Sequence, residues 1–323
     1  MLALTLDRRA TRRHAGAWLG CVGLTAAATW LVADGARALI RAHDLYHQLA
    51  VAQVRMTGPV LLAVVGVVFV CERIWPAVSR PVRSRAHAVD AAYLGVFVLV
   101  APFVTLLNTG FSMAVHAHAR FLLLGRLPLG SQLLVSVLVL VAMDASNWAV
   151  HVANHRSQAL WRFHALHHSQ EEMSVFTTFR THPLAHASYL PAILPALMLS
   201  ASGGVPVWAV VGYGCLVTLP HANLRWTYGP LGKVVVSPAY HRLHHAREPV
   251  AGKPAVNFGF VLNCWDRLSG LAVDPTRGAP VATGIAGRAV PVEQGADRLT
   301  AVLLAQLSQP FRPGQSMGAA GPT

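Results

Sequence analysis

Long apolar runs separated by short basic loops set the pattern of this chain. Runs of spanning length, around 20 residues, fall at about 17–33, 58–77, 88–112 and 131–150. A longer apolar stretch, about 184–220, is broken by Ser202-Gly203-Gly204 and Pro206. It predicts a helical hairpin that either spans twice or dips in and returns. The expected fold is therefore all-α, a polytopic integral membrane helix bundle. Residues 1–130 carry the N-terminal spans, 131–270 a metal-binding region with further membrane helices, and 271–323 a flexible tail. That tail is rich in Gly, Pro, Ala and Arg, with a short amphipathic helix over 296–308.

Composition agrees with the pattern. The chain is 323 residues long, 54% hydrophobic and 12% charged, against about 25% charged in soluble domains. Mean hydropathy is +0.46. The formal charge of +13 matches the positive-inside bias of a membrane protein. Nucleic-acid binding is excluded, because the basic residues lie dispersed between apolar runs and form no stripe. Arg8, Arg9, Arg12 and Arg13 before the first run, and Arg73, Arg80, Arg83 and Arg85 after the second, place the N-terminus in the cytoplasm. The first run is long for a signal peptide and reads as a signal anchor. Four crossings then return the chain to the cytoplasmic side just before His151. Cys21, Cys71, Cys215 and Cys264 form no C-x-x-C pair and imply neither a disulfide framework nor a zinc–thiolate site.

Histidine carries the candidate chemistry. His151-x-x-x-His155 is followed by His164-x-x-His167-His168 and, much later, by His241-x-x-His244-His245. Positions i, i+3 and i+4 share a helix face, so each cluster is expected to aim its nitrogens at a common point. The first cluster ends the helix of the fourth run, a bend follows at Ser157-Gln158, and Ser237-Pro238 starts the helix of the third. Eight imidazoles without thiolate suit iron, zinc, copper or nickel. They exceed the four ligands of a structural zinc, and two irons with open positions for oxygen fit better. Acids that could balance the charge are Asp144, Glu171, Glu172 and Asp266. Asp144, two turns before His151 and about 10 Å along the axis, is expected to orient a ligand from behind.

The order Asp144…His151-x-x-x-His155…Leu160-Trp161-x-x-His164-x-x-His167-His168-Ser169, then Arg180-x-His182-Pro183, His221-Ala222-Asn223-Leu224, Ser237-Pro238-x-x-His241-x-x-His244-His245, Asn257-Phe258-Gly259 and Trp265-Asp266-Arg267-Leu268-x-Gly270 resembles the fatty acid hydroxylase / sterol desaturase superfamily over about 144–270. The resemblance implies a membrane-embedded non-haem di-iron oxygenase that uses O2. Such enzymes hydroxylate or desaturate a lipid-type substrate such as a fatty acyl chain, sterol or carotenoid, or cleave ether lipids. It also implies His151, His155, His164, His167, His168, His241, His244 and His245 as metal ligands, His221 as a ninth, and His182 as a ligand or a support. Val152 stands where many members carry arginine, and Val217 where some carry histidine. Water or the amide of Asn223 then completes one metal. Asn223, Asp144 and Asp266 are the candidates for residues that support the ligands.

Other residues have plainer readings. Trp148, Trp161 and Trp226 are expected at the membrane interface. His14, His43, His47, His87, His116 and His118 are expected in solvated loops, while His186 could approach the site. Asn257, Gly259 and the Asp266-Arg267 pair are expected to shape loops below it. With no flavin, haem or dinucleotide pattern in the sequence, electrons must come from a separate ferredoxin or reductase. Two rivals remain open: a zinc-dependent membrane lipid hydrolase, although H-E-x-x-H is missing, and a metal transporter, although the clusters lie at or beyond the span ends.

Overall fold

The computed structural model describes residues 58–81, 84–124, 131–199, 207–276, 280–286, 290 and 298–312. The expected signal anchor at 17–33, the N-terminal arginines, the Ser202-Gly203-Gly204 break, His14, His43 and His47 lie outside the described residues. Those described are mainly helical, and their only β-pairing consists of isolated bridges.

Three helices form the apolar body: α1 (Gly58–Ile74), α2 (Arg85–His118) and α3 (Gln132–Arg156). Ser84 starts α2, its hydroxyl accepting from the His87 amide at 3.0 Å. At 1.5 Å per residue α2 is about 51 Å long, well beyond a hydrocarbon core of about 30 Å. It therefore runs past the apolar segment at both ends. His116 and His118 lie in its last turn and not in a loop, and His87 sits buried in its first.

The helices α2 and α3 are long and apolar enough to cross a bilayer, and only 17% and 22% of their most apolar windows are buried. A core helix of a soluble protein buries most of such a window, so this exposure favours contact with lipid. Leu99, Phe103 and Leu133 are among the apolar side chains exposed on these helices.

The chain leaves α3 at Ser157, whose extended backbone both ends α3 and begins α4 (Gln158–His168), as the bend in the sequence implies. The predicted hairpin begins with a 3-10 segment (Pro183–Ile193) and α5 (Leu194–Met198) and returns through α6 (Val207–Thr218). Twelve residues make α6 about 18 Å long, short of a full crossing. A 3-10 turn at Leu219–His221 then leads to α7 (Pro238–His244), α8 (Cys264–Leu268) and α9 (Leu299–Ser308).

Two apolar clusters hold the cap to the helices. Val65 and Val68 of α1 pack with Val175, Phe179, Ala222 and Leu224. Val89 and Tyr93 of α2 pack with Trp161, Ala165 and Leu166 of α4, and with Ile285, Val290 and Val302. The second cluster corrects the expectation of a flexible tail. Apolar side chains beyond position 271 complete the core, and Tyr93 donates to a carboxamide oxygen of Gln306 in α9 at 3.1 Å. Residues 313–323 lie outside the described residues. Trp161 is likewise core and not an interface marker, 1% exposed against the rings of His155 and His168.

Candidate metal centre

Nine buried histidines converge through their Nε2 atoms into two adjoining groups. One holds His151, His155, His164, His168 and His244, and the other His167, His221, His241 and His245. In the first, His151 lies 3.1 Å from His164 and 3.0 Å from His244, while His168 lies 3.0 Å from His155 and 3.1 Å from His164. In the second, His221 lies 3.0 Å from His167 and 3.1 Å from His241, and His245 lies 3.2 Å from His241. The rings of His168 and His245 stack at 4.3 Å, so the groups share a wall.

This division corrects the expectation that each sequence cluster serves one point. Helix α4 gives the i, i+4 pair His164 and His168 to the five-histidine group and His167 to the other. Helix α7 does the reverse, with His241 and the adjoining His245 facing the four-histidine group and His244 the first. The cause is helical phase: residues four apart differ by about 40° around the axis, whereas adjacent residues differ by about 100°. An H-x-x-H-H run therefore straddles two sites.

The donor set fits metal ions. The Nδ1 of His151 lies 2.9 Å from the carbonyl oxygen of Phe258, and that of His244 lies 2.7 Å from Val256. A carbonyl only accepts, so each Nδ1 carries the proton and each neutral ring presents a bare lone pair at Nε2. Those two lone pairs face each other at 3.0 Å, an arrangement that repels unless a cation lies between them. Burial pushes His164, His168, His221, His241, His244 and His245 well below the usual imidazole range, and crowding by neighbouring rings adds to it. His167 is lowered to about 3, again chiefly by burial. At neutral pH these rings are uncharged.

Asn257 sets the two anchoring carbonyls. It takes a left-handed conformation (φ 60°) between Val256 and Phe258. Its amide donates to Tyr240 and Val273 oxygens, each at 2.9 Å, and its side-chain oxygen accepts from Val273 at 2.7 Å. Asp266 holds the next stretch, accepting from the amides of Phe258 (2.9 Å) and Gly259 (2.8 Å), Trp148 Nε1 (2.8 Å) and the Tyr240 hydroxyl (3.1 Å). It thus acts one peptide behind His151, and Trp148 is a tether here. A Cβ on Gly259 would stand 2.6 Å from the Leu262 carbonyl oxygen and 2.9 Å from Val236. Gly259→Ala is expected to cost about 1–3 kcal/mol through overpacking, read as a lower thermal midpoint together with weaker metal retention.

Three sequence-predicted residues stand elsewhere. Asp144 accepts from Tyr213 (3.0 Å), the amides of Val261 and Leu262 (both 3.1 Å) and Trp265 Nε1 (2.9 Å). It fastens the 261–265 loop to α3 and does not orient a histidine. Asn223 cannot fill a metal position, because its amide bonds both ways with Val78 and its oxygen accepts from Arg242 at 2.9 Å. His182 belongs to neither group. Its Nε2 lies 3.1 Å from the Leu307 carbonyl oxygen and its Nδ1 accepts from Leu184 at 3.1 Å. His182→Ala is expected to leave metal content unchanged while costing about 1 kcal/mol, measured by elemental analysis and thermal melting of the same sample.

Two buried residues outside the histidine pattern complete the frame. Glu72 of α1 is 0% exposed and accepts from the amides of Asn223 (2.6 Å) and Val175 (2.7 Å), so it pins the His221 segment. Arg180 pairs with Asp90 of α2 at 3.0 Å and donates to the Leu166 carbonyl at 3.2 Å and to Ser169 at the end of α4. A charge inside an apolar run marks Glu72 in the sequence. Its partners, about 100 and 150 residues away, are not marked by any local signal.

Comparison with known proteins accords with this site. Residues 136–271 match the fatty acid hydroxylase family. Ornithine lipid hydroxylase OlsE of Rhizobium tropici is 33% identical over 177 residues, covering 54% of this chain and 50% of that protein. Alkylglycerol monooxygenase of Caenorhabditis elegans is 28% identical over 135 residues (41% of this chain, 26% of that protein). The enzyme of the same name from Danio rerio is 29% identical over 136 residues (41% and 29%). The chain thus spans half or less of the length of these relatives. No solved structure matches it. All nine converging histidines lie inside the segment, residues 136–271, that matches the fatty acid hydroxylase family.

Proposed function

We propose that this protein is a membrane-bound non-haem di-iron oxygenase that hydroxylates, or desaturates, a C–H bond of a lipid-type substrate, using O2 and electrons from an external ferredoxin or reductase. The observation that carries the reading is the pair of adjoining, all-nitrogen, buried histidine groups. The names of the relatives, a lipid hydroxylase and two alkylglycerol monooxygenases, support a lipid as the substrate. The proposed ligands are His151, His155, His164, His168 and His244 for one iron and His167, His221, His241 and His245 for the other. The four-histidine group includes His221, four residues after Val217, where some members have a further histidine.

When bound, two irons supply the redox capacity to activate O2 for attack on an unactivated C–H bond. The chain's own part is positioning. The carbonyls of Val256 and Phe258 fix the tautomers of His244 and His151. Trp161, Leu166 and Phe258 keep bulk water from the rings, and the apolar body places a lipid tail against the cap. A multi-pass topology with the N-terminus and the histidine groups on the cytoplasmic side completes the proposal.

Imidazole suits zinc as well as iron, so the identity of the metal separates this reading from the zinc hydrolase alternative. Elemental analysis and Mössbauer spectroscopy of 57Fe-grown protein test the reading. About two irons per chain and O2-dependent product from a lipid extract are expected. Zinc alone, with no iron taken up on anaerobic reconstitution, would overturn it.

A further inference from the structure

Behind the histidines, on the opposite face of α7, lies a cavity of about 340 Å³ that the oxygenase reading leaves unassigned. Arg242 and Leu243 of α7 form one wall, and Ala77, Leu224 and Arg225 another, with Val281 closing it. Its size is that of a small-molecule site. Arg242 is 4% exposed and its Nη2 is held by Asn223, but its Nε finds no hydrogen-bond partner. A buried guanidinium N–H without an acceptor is costly, and an acceptor entering the cavity would remove that cost. Arg225 is an exposed residue whose Nε bonds to the Ala77 carbonyl at 3.2 Å. Among the described residues no ion pair joins either arginine to a carboxylate. The nearby acid, Glu72, is held by the Val175 and Asn223 amides. Trp75 and Trp226 flank this region as a ring pair 6.1 Å apart, both exposed. Exposed tryptophans at the end of an apolar helix mark the headgroup level of a bilayer.

We propose that this cavity binds an anionic oxygen group, a phosphate or carboxylate, through Arg225 and Arg242, and that a lipid headgroup at the membrane surface supplies it. Arginine suits such a ligand, because its planar fork matches two oxygens at once. The apolar side chains of Ala77, Leu224, Leu243 and Val281 would lie along the part of the lipid next to the headgroup. The proposal needs neither metal nor oxygen, so it stands or falls apart from the oxygenase reading.

The test uses the full chain in neutral detergent, with tryptophan fluorescence followed during titration. The probes are short-chain phosphatidylglycerol, short-chain phosphatidylcholine, and inorganic phosphate at constant ionic strength. Saturable binding of phosphatidylglycerol is expected, weakened at least about fivefold by Arg225→Gln and by Arg242→Lys, and unchanged by Lys233→Gln, an exposed charge outside the cavity. Arg225 is exposed, so its variant keeps the test valid should Arg242→Lys fail to fold. Saturation by inorganic phosphate with the same dependence on Arg225 would uphold the anion site and make a free anion its source. Equal response to both lipids, or equal weakening by Lys233→Gln, would overturn the proposal.

Discussion

His167→Ala is expected to remove the metal of the four-histidine group and reduce O2-dependent product formation by more than about 100-fold, since even outer partners of a metal site account for 10–100-fold. The group has four nitrogens, and the variant leaves three: His221, His241 and His245. Removing one ligand from the five-histidine group leaves four, still a complete set for a divalent ion. His155→Ala is therefore expected to keep more metal than His167→Ala, although both side chains are buried. Iron per chain, measured on both variants after identical purification, checks this. Equal loss from the two would mean that the groups act as one cluster of nine. The stacked His168 and His245 rings on their shared wall make that the outcome to watch for.

How much of this was legible in the sequence follows from the range of each interaction. The histidine runs, the break at Ser157, the serine start of α7 and the apolar runs at 58–77, 88–112 and 131–150 are local features, and helices or turns stand where the pattern puts them. That each H-x-x-H-H run divides follows from helical phase, but which histidines of other elements join each half depends on where the neighbouring helices lie. Asp144 and Asp266 read as functional acids because they are carboxylates beside apolar or histidine-rich segments. The structure shows each accepting four hydrogen bonds from loop amides and aromatic side chains over a separation of up to 121 residues. The return of Ile285, Val290 and Val302 onto α2 and α4 was hidden for another reason. Composition rich in Gly, Pro and Ala resembles a loose tail, while the few apolar side chains that fill the gap beside Trp161, namely Ile285, Val290 and Val302, have no periodic spacing.

Arg180→Ala is expected to be the most destabilising single change outside the histidines, by about 3–5 kcal/mol, because it strands a buried carboxylate. Both members of the Arg180–Asp90 pair are 0% exposed, and the same guanidinium serves the Leu166 carbonyl and the Ser169 hydroxyl. The variant leaves Asp90 with the uncharged Thr177 hydroxyl at 2.9 Å. It also frees the end of α4, the helix that presents His164, His167 and His168. Removing the acid as well separates these effects. In Arg180→Met with Asp90→Leu no buried charge is left unpaired, and replacing both partners of such a pair is often close to neutral. The double variant should therefore recover most of the thermal midpoint lost in Arg180→Ala. Metal retention should recover less, since the Leu166 carbonyl and Ser169 still lack their donor. A double variant as unstable as the single one would mean that the contacts at the end of α4, and not the stranded charge, dominate the loss.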